Sequence, residues 1–181
     1  MLGLCVAIVG SWTAAGQTAS RSLEYKVKAA YLFNFAKYVE WPQSAFASPE
    51  APVVIGILGQ DPFGEVMEET ISDRRVGKRP VQVKRSRRIH DLTNCHLLFI
   101  CPSERDRLGR ILAAAKSTPA LTVSEIPQFC LSGGMITLVV ESNAVRFDVD
   151  LDNAEQCGLK LSARMLTAAR TVFSRKRDHP K

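Results

Sequence analysis

The 181-residue chain has only three histidines, and no motif gives any of them a catalytic partner. Neither G-x-S-x-G nor H-E-x-x-H occurs, which excludes the common serine-hydrolase and zinc-protease arrangements. His96 follows Cys95, but alternation along a strand sends the two side chains to opposite faces, whereas a Cys–His dyad must converge. The absence of C-x-x-C removes the usual zinc and thioredoxin-like spacings. No G-x-G-x-x-G is present. The turn from Gly59 to Gly64 has the outer G-x-x-x-x-G shape of a phosphate loop, yet Glu65 and Val66 stand where Lys and Ser or Thr would meet phosphate and magnesium. Asp148, Asp150 and Asp152 alternate like calcium ligands, but Asn153 and Leu159 occupy the places an EF-hand gives to Gly and Glu. A solvated strand face leading into a helix cap is the better account. Internal repeats and low-complexity tracts are missing as well. The residues nominate no catalytic group, no cofactor and no metal.

Hydrophobic residues make up 46% of the chain and charged residues 23%, the balance of one soluble domain with a sizeable core. The formal charge of +6 favours acidic partners. Residues 1–19 read as a secretory signal, apolar and small, with cleavage after Ala15 or Ala19. Its charged start is cut short, since no Lys or Arg precedes Leu2. Ser11, Thr13, Gln17 and Thr18 interrupt the run, so it does not reach the roughly 20 apolar residues of a membrane span. Removal of Cys5 with that segment leaves Cys95, Cys101, Cys130 and Cys157, which are free buried thiols or form one of three full pairings. Cys95 and Cys101 lie on one strand about 20 Å apart when extended, too far to bond each other.

The domain spans residues 22–174, followed by a basic tail, 175–181. Ser22 to Trp41 reads as a helix stopped by Pro42. PVVIGILG, PVQVKRS, CHLLFIC and ALTVSE read as strands, interleaved with helices in DPFGEVMEETI and PSERDRLGRILAAAK. Ser103 with Asp106, and Asp152 with Glu155, have capping-box spacing. GGMITLVVES and AVRFDVDL form a hairpin about Ser142-Asn143. LKLSARMLTAARTVFSR reads as a closing amphipathic helix. The fold class is α/β, with three layers, a mostly parallel central sheet, an antiparallel C-terminal hairpin and helices on both faces.

Two features invite a functional reading. YLFNFAKYVEWP packs five aromatics into eleven residues, but Lys37 and Glu40 within it, and Lys26 and Lys28 before it, rule out a membrane span. Its wide apolar arc suits a helix buried on a sheet, with Asn34 needing a partner if buried. Phe33, on the far side of the wheel, and Trp41, at the terminus, remain for a contact surface. The run DRRVGKRPVQVKRSRRIH holds a third of all Lys and Arg. It serves either to grip an acidic partner or, the favoured reading, to keep a short edge strand monomeric. Without interleaved aromatics or a recognition helix it does not suggest nucleic acid.

In this order, KAAYLFNFAKYVEWP, VVIGILGQDPFG, GKRPVQV, CHLLFI with PSER, LTVSE, SGGMITLVVESNAVRFDVDLDNA and GLKLSARMLTAAR resemble the YfiR/HmsC-like family of bacterial exported proteins, from about Val27 to Val172. The motif residues are Gly133, Gly134, Arg146, Phe147 and Asp148. The resemblance implies a periplasmic regulator and not an enzyme. It implies a protein that binds the periplasmic sensor of an inner-membrane diguanylate cyclase, holds it inactive, and so restrains cyclic-di-GMP, exopolysaccharide and biofilm formation. It also implies a homodimer in many members. Partner contacts are expected at Phe33, Trp41, Arg85, Arg87 and Arg88. A periplasmic module that binds a small molecule or cell-wall fragment is the alternative. Cys95 and Cys130 align with cysteines of members that carry two disulfides, but Gly56 and Thr137 replace their partners. Asp150 stands where the family's hairpin usually ends in Asn.

Overall fold

The computed structural model describes residues 13–175. The expected signal up to residue 12, and the tail from residue 176, lie outside the described residues. Three apolar strands build the centre: β2 (Val53–Leu58), β5 (Leu97–Ile100) and β6 (Leu121–Ser124). β2 and β5 are hydrophobic on both faces and must be covered on both sides, while β6 turns Leu121 and Val123 to one face and the buried Thr122 and Ser124 to the other. Toward one face point Ile55, Ile57, Leu97, Phe99, Leu121 and Val123, packed under Ala29, Leu32 and Phe35 of α1 (Thr13–Tyr38). Toward the other point Leu58, Leu98 and Ile100, packed under α3 (Leu108–Ala115). In α3 the residues Leu108, Ile111, Leu112 and Ala115 repeat at helical spacing and are all buried. These are the expected three layers.

The sheet has eight strands in the order β10-β8-β7-β6-β5-β2-β4-β3. From β4 (Arg79–Ser86) through β2, β5 and β6 to β7 (Ile136–Glu141) every neighbouring pair is parallel. β8 (Ala144–Asp150) returns antiparallel to β7 through Ser142 and Asn143, both at positive φ, 49° and 59°. That is the conformation a two-residue hairpin turn of right-handed twist requires. β3 (Arg75–Val76), after the short helix α2 (Val66–Ile71), pairs antiparallel with β4 through Arg79 and Pro80 only.

Five local expectations are corrected. α1 ends at Tyr38, not Trp41, because Val39–Glu40 leave as β1 and pair with β9 (Lys160–Leu161), while the freed Tyr38 carbonyl accepts from Ser162 N at 3.0 Å. The closing helix is interrupted. Ser162 caps α5 (Ala163–Ala168), and Thr171–Phe173 form β10, parallel to β8 and outside the hairpin. The chain is drawn to that edge by Arg170, whose N–H donates to the Phe147 carbonyl at 2.8 Å and whose guanidinium grips Asp148. Asp148 and Asp150 are therefore buried rather than solvated, as partner of Arg170 and N-cap of α4 (Leu151–Gln156) respectively. Asp150 accepts from Asn153 N at 2.9 Å, so the cap lies two residues before the expected Asp152. Ser103 likewise caps nothing, since Pro102–Arg107 wind as a 3₁₀ turn before α3. Asn34 is exposed and needs no protein partner.

A Cβ added at Gly134 would fall 2.1 to 2.5 Å from the ring of Phe129, which is fully buried. Gly134→Ala should therefore destabilise by about 1–3 kcal/mol, the usual cost of overpacking. A lowered urea midpoint with unchanged slope is the expected observation, and adding Phe129→Leu should recover part of the loss.

Candidate functional site

Open parallel sheets receive ligands at the carboxyl ends of their strands, where successive connections diverge. Here that place lies between β2 and β5, because the chain goes from β2 outward to β4 and then returns to β5 on the other side. The crevice is filled by the protein itself. Gly59, at φ 106°, turns the chain so that Gln60 N donates to Ser103 Oγ at 2.9 Å. Ser103 Oγ in turn donates to Glu104 Oε1 at 3.1 Å. A Cβ at Gly59 would lie 2.5 Å from Ser103 Oγ and 2.6 Å from Glu104 Oε1. Glu104 is buried and paired with Arg107, and Asp61 accepts from Phe63 N at 2.7 Å to close its own turn. Two carboxylates thus stand where a phosphate would need donors, in agreement with Glu65 and Val66 failing the phosphate-loop pattern.

The thiols are held in their unreactive form. Burial pushes Cys101 up to about 12, with help from the carboxylates of Asp61, Glu104 and Glu125. Burial also raises Cys95 and Cys130 to about 11 each. All four described cysteines are free, and a thiol so far from ionisation is a poor nucleophile at neutral pH. Cys95 and His96 diverge as expected. The former packs under α3, while the latter lies between the rings of Phe46 and Trp41.

The expected contact residues separate into three environments. Phe33 is buried beneath the Arg74 guanidinium, 5.1 Å from its ring centroid, so its place on an open side of the helix is corrected. The far side of the wheel is covered because α2 and the chain following it pack there, leaving α1 enclosed on two sides. Trp41 is half-buried and donates from Nε1 to the His96 carbonyl at 3.1 Å. Arg85 is the hub of an acidic cluster, with Asp61 Oδ2 at 2.6 Å, Glu68 Oε2 at 2.9 Å and the Gly64 carbonyl at 3.0 Å. Its hydrogen bonds hold the Glu68 carboxyl below its ordinary range. Arg87 and Arg88 are exposed, and Arg88 reaches only Asp91, at 3.1 Å.

The motif residues lie just before β7 and along β8. Gly133 takes φ 100°, Gly134 makes room for Phe129, and Phe147 packs edge-on against Phe35 at 4.9 Å. Asp148 holds Arg170 through two hydrogen bonds of 2.8 and 2.6 Å, and Arg146 is exposed on the hairpin. The positions that lack cysteines face their counterparts. A Cβ at Gly56 would lie 2.6 Å from Cys95 Sγ, and Thr137 Oγ1 donates to Cys130 Sγ at 3.1 Å.

One constellation escaped the sequence reading. His96 is buried and its Nδ1 accepts from Val54 N at 3.1 Å, which puts the proton of the neutral ring on Nε2. Nε2 has no hydrogen-bond partner among the described residues. Burial lowers the pKa of the imidazole, and Arg79 adds to this, while the nearby Ala45 carbonyl opposes it without completing a hydrogen bond. Phe46 stacks on the ring at 4.3 Å and carries Arg79 on its other side at 3.7 Å. A cleft of about 500 Å³ opens beside this stack, lined by Phe46, Thr93, Asn94, His96 and Thr118 among others. Its components come from four separated segments, and no spacing in the sequence links them.

Among the described residues no helix is long and apolar enough to cross a membrane. A family described as YfiR/HmsC-like matches residues 25–170, from the second turn of the described α1 side chains to the arginine that grips Asp148. No curated protein matches significantly. Among solved structures, a conserved domain protein from Vibrio cholerae O1 biovar El Tor superposes with a TM-score of 0.51 at 8% identity. The match covers 67% of this chain and 55% of that one. An ABC domain from Streptococcus pneumonia, solved in complex with L-Trp, gives 0.48 at 9% identity, covering 66% and 55%. The chain thus spans about half the length of these structures, and the first shows likeness of fold alone.

Two measurements follow from these geometries. Gly56→Cys and Thr137→Cys should each oxidise with the facing cysteine, removing two thiols from titration under denaturing conditions and adding about 2–4 kcal/mol of stability. An unchanged thiol count would show that the positions do not meet. Because the folded pKa of His96 lies below its ordinary 6.5, the unfolded chain takes up the proton first. Stability should be full above pH 6.5 and decline as pH falls below it. His96→Asn, which keeps an acceptor for Val54 N–H, should flatten that decline in a pH series of denaturant melts.

Proposed function

The chain belongs to the YfiR/HmsC-like family, and from that membership we propose that it is an exported repressor of an inner-membrane diguanylate cyclase. The family is one of periplasmic regulators, and its match to nearly the whole sheet and its covering helix is the observation that carries the reading. The chain binds the periplasmic sensor of the cyclase and prefers its inactive state, so the active population falls in proportion to that preference. Cyclic-di-GMP, exopolysaccharide and biofilm formation fall with it. The filled crevice at the strand ends favours action through the surface. Arg87 and Arg88, free of the acidic cluster around Arg85, and Trp41 are the side chains placed at the contact. Phe33 joins them only where Arg74 swings off its ring. A homodimer is the assembly proposed.

The cleft beside His96 favours a second reading, a module that binds a small molecule or cell-wall fragment. Its polar groups converge on a partly apolar hollow of ordinary ligand size. The two readings differ in what is lost when the gene is removed. Deletion should raise cyclic-di-GMP several-fold and thicken biofilm, complementation should reverse both, and the tagged protein should recover a membrane cyclase. Unchanged nucleotide levels with no cyclase recovered would overturn the repressor.

A further inference from the structure

β4 is an edge strand for most of its length. β3 reaches only Arg79 and Pro80, so among the described residues positions 81–86 have a strand neighbour, β2, on one side alone. The direction of their backbone groups follows from one hydrogen bond. Gly59 N donates to the Ser86 carbonyl at 2.9 Å, so Ser86 faces β2, and by alternation Gln82 and Lys84 do too. Val81, Val83 and Arg85 therefore direct their N–H and C=O groups away from the sheet. Arg79, in step with them, is the residue opposite Val76 of β3. The hairpin thus covers the first outward position and leaves the next three open.

An open edge of this kind is a template for another strand. Its charge decides which strand. Residues 74–88 contain eight basic side chains and no acidic one. Of these, only Arg85 and Arg88 reach a carboxylate among the described residues. Lys84, within the open stretch, and Arg87, just past its end, are exposed and make no ion pair among the described residues. A second copy of the same edge would bring like charges opposite each other, which is destabilising. An extended segment with acidic residues at alternate positions would instead place carboxylates on the face that carries Lys84, with Arg87 just past the strand end, while filling the backbone ladder. The side chains of Val81 and Val83 are half-buried toward α1, so an added strand meets an already ordered edge with little to rearrange.

We infer that the Val81–Ser86 edge of β4 binds an acidic, extended segment of a partner protein by strand addition, and that its basic side chains exclude edge-to-edge pairing of two copies at this strand, so that a homodimer forms through another face. This rests on the reading of the protein as a regulator that acts by protein contact, and supplies the chemistry of that contact. The added strand gains hydrogen bonds at three residues and cross-strand charge pairs at its rim. Salt therefore weakens binding.

The test uses the full mature chain and two synthetic eight-residue peptides with alternating valine and either glutamate or lysine. The glutamate peptide should bind, and it should slow hydrogen exchange at the amides of Val81, Val83 and Arg85. The lysine peptide should bind at least tenfold more weakly. Val83→Pro removes an outward N–H at a position where an edge strand tolerates proline. It should keep the wild-type melting temperature within a few degrees and lose at least tenfold in affinity. Lys84→Glu with Arg87→Glu should lose a similar factor, and more at low salt. Equal affinity of Val83→Pro and wild type, or binding that leaves those three amides unprotected, would overturn the inference. In a deletion strain, wild-type protein that lowers cyclic-di-GMP while Val83→Pro lowers it equally well would sink the edge and leave the repressor standing. Wild-type protein that leaves cyclic-di-GMP unchanged while the peptide results hold would sink the repressor and leave the edge.

Discussion

A single buried cation determines where the long helix crosses the sheet. Lys28 is 2% exposed, yet it is paired with Glu24 on its own helix and with Glu125, one residue beyond β6. Tyr25 donates to the same Glu125 at 2.9 Å. A buried charge that loses its partner costs about 3–5 kcal/mol. Sliding α1 by one turn would incur that penalty, so the helix has one axial position. That position sets Ala29, Leu32 and Phe35 over the central strands and brings Tyr31 and Phe35 against Phe147 of β8. The far end of the sheet is thereby registered to the near end through one helix.

The two ends of the sheet then have different fates. At the carboxyl ends of β2 and β5, where this architecture commonly admits ligands, Ser103 and Glu104 occupy the crevice and burial holds the adjacent Cys101 thiol protonated. At the amino ends, the segment after α1 folds back as Phe46 over His96, with Arg79 over Phe46. One edge of the sheet is formed by the three residues of β10, which Arg170 fastens to β8 through Asp148. The other edge is covered for two residues by β3 and is otherwise open. At the crevice the protein's own side chains fill the space, whereas backbone and basic side chains are available at the open edge.

Much of this was legible in the residues. The strand segments, α3 and the hairpin followed from period and turn chemistry, because each is dictated by neighbours within a few positions. Tyr31, Leu32 and Phe35 were readable as core for the same reason. Phe33 was not, since the wheel describes one helix and its far side is covered by α2 and Arg74, which arrive from elsewhere in the chain. The closing helix failed in a similar way. LTAARTVF has acceptable helical periodicity, but a buried Asp148 awaiting Arg170, and an unpaired edge of β8, outweigh a weak local preference. The caps moved for the same cause. Asp150 becomes a cap only because β8 ends there, and Ser103 is taken by Gln60 N.

By itself the sequence determined the layered α/β class, the order of its longer strands and of the helices between them, the lack of any common catalytic signature and the basic character of one segment. These depend on residue type and short spacing, which survive whatever the chain does at long range. Tertiary structure alone decided that the phosphate-loop look-alike is filled, that His96 and Phe46 line one cleft with Arg79 over Phe46, and that the basic segment lies on an edge that is mostly open among the described residues. Each of those facts depends on which strand becomes the neighbour of which. That choice is made by burial of two apolar faces and one pair-bound lysine, and no local pattern encodes it.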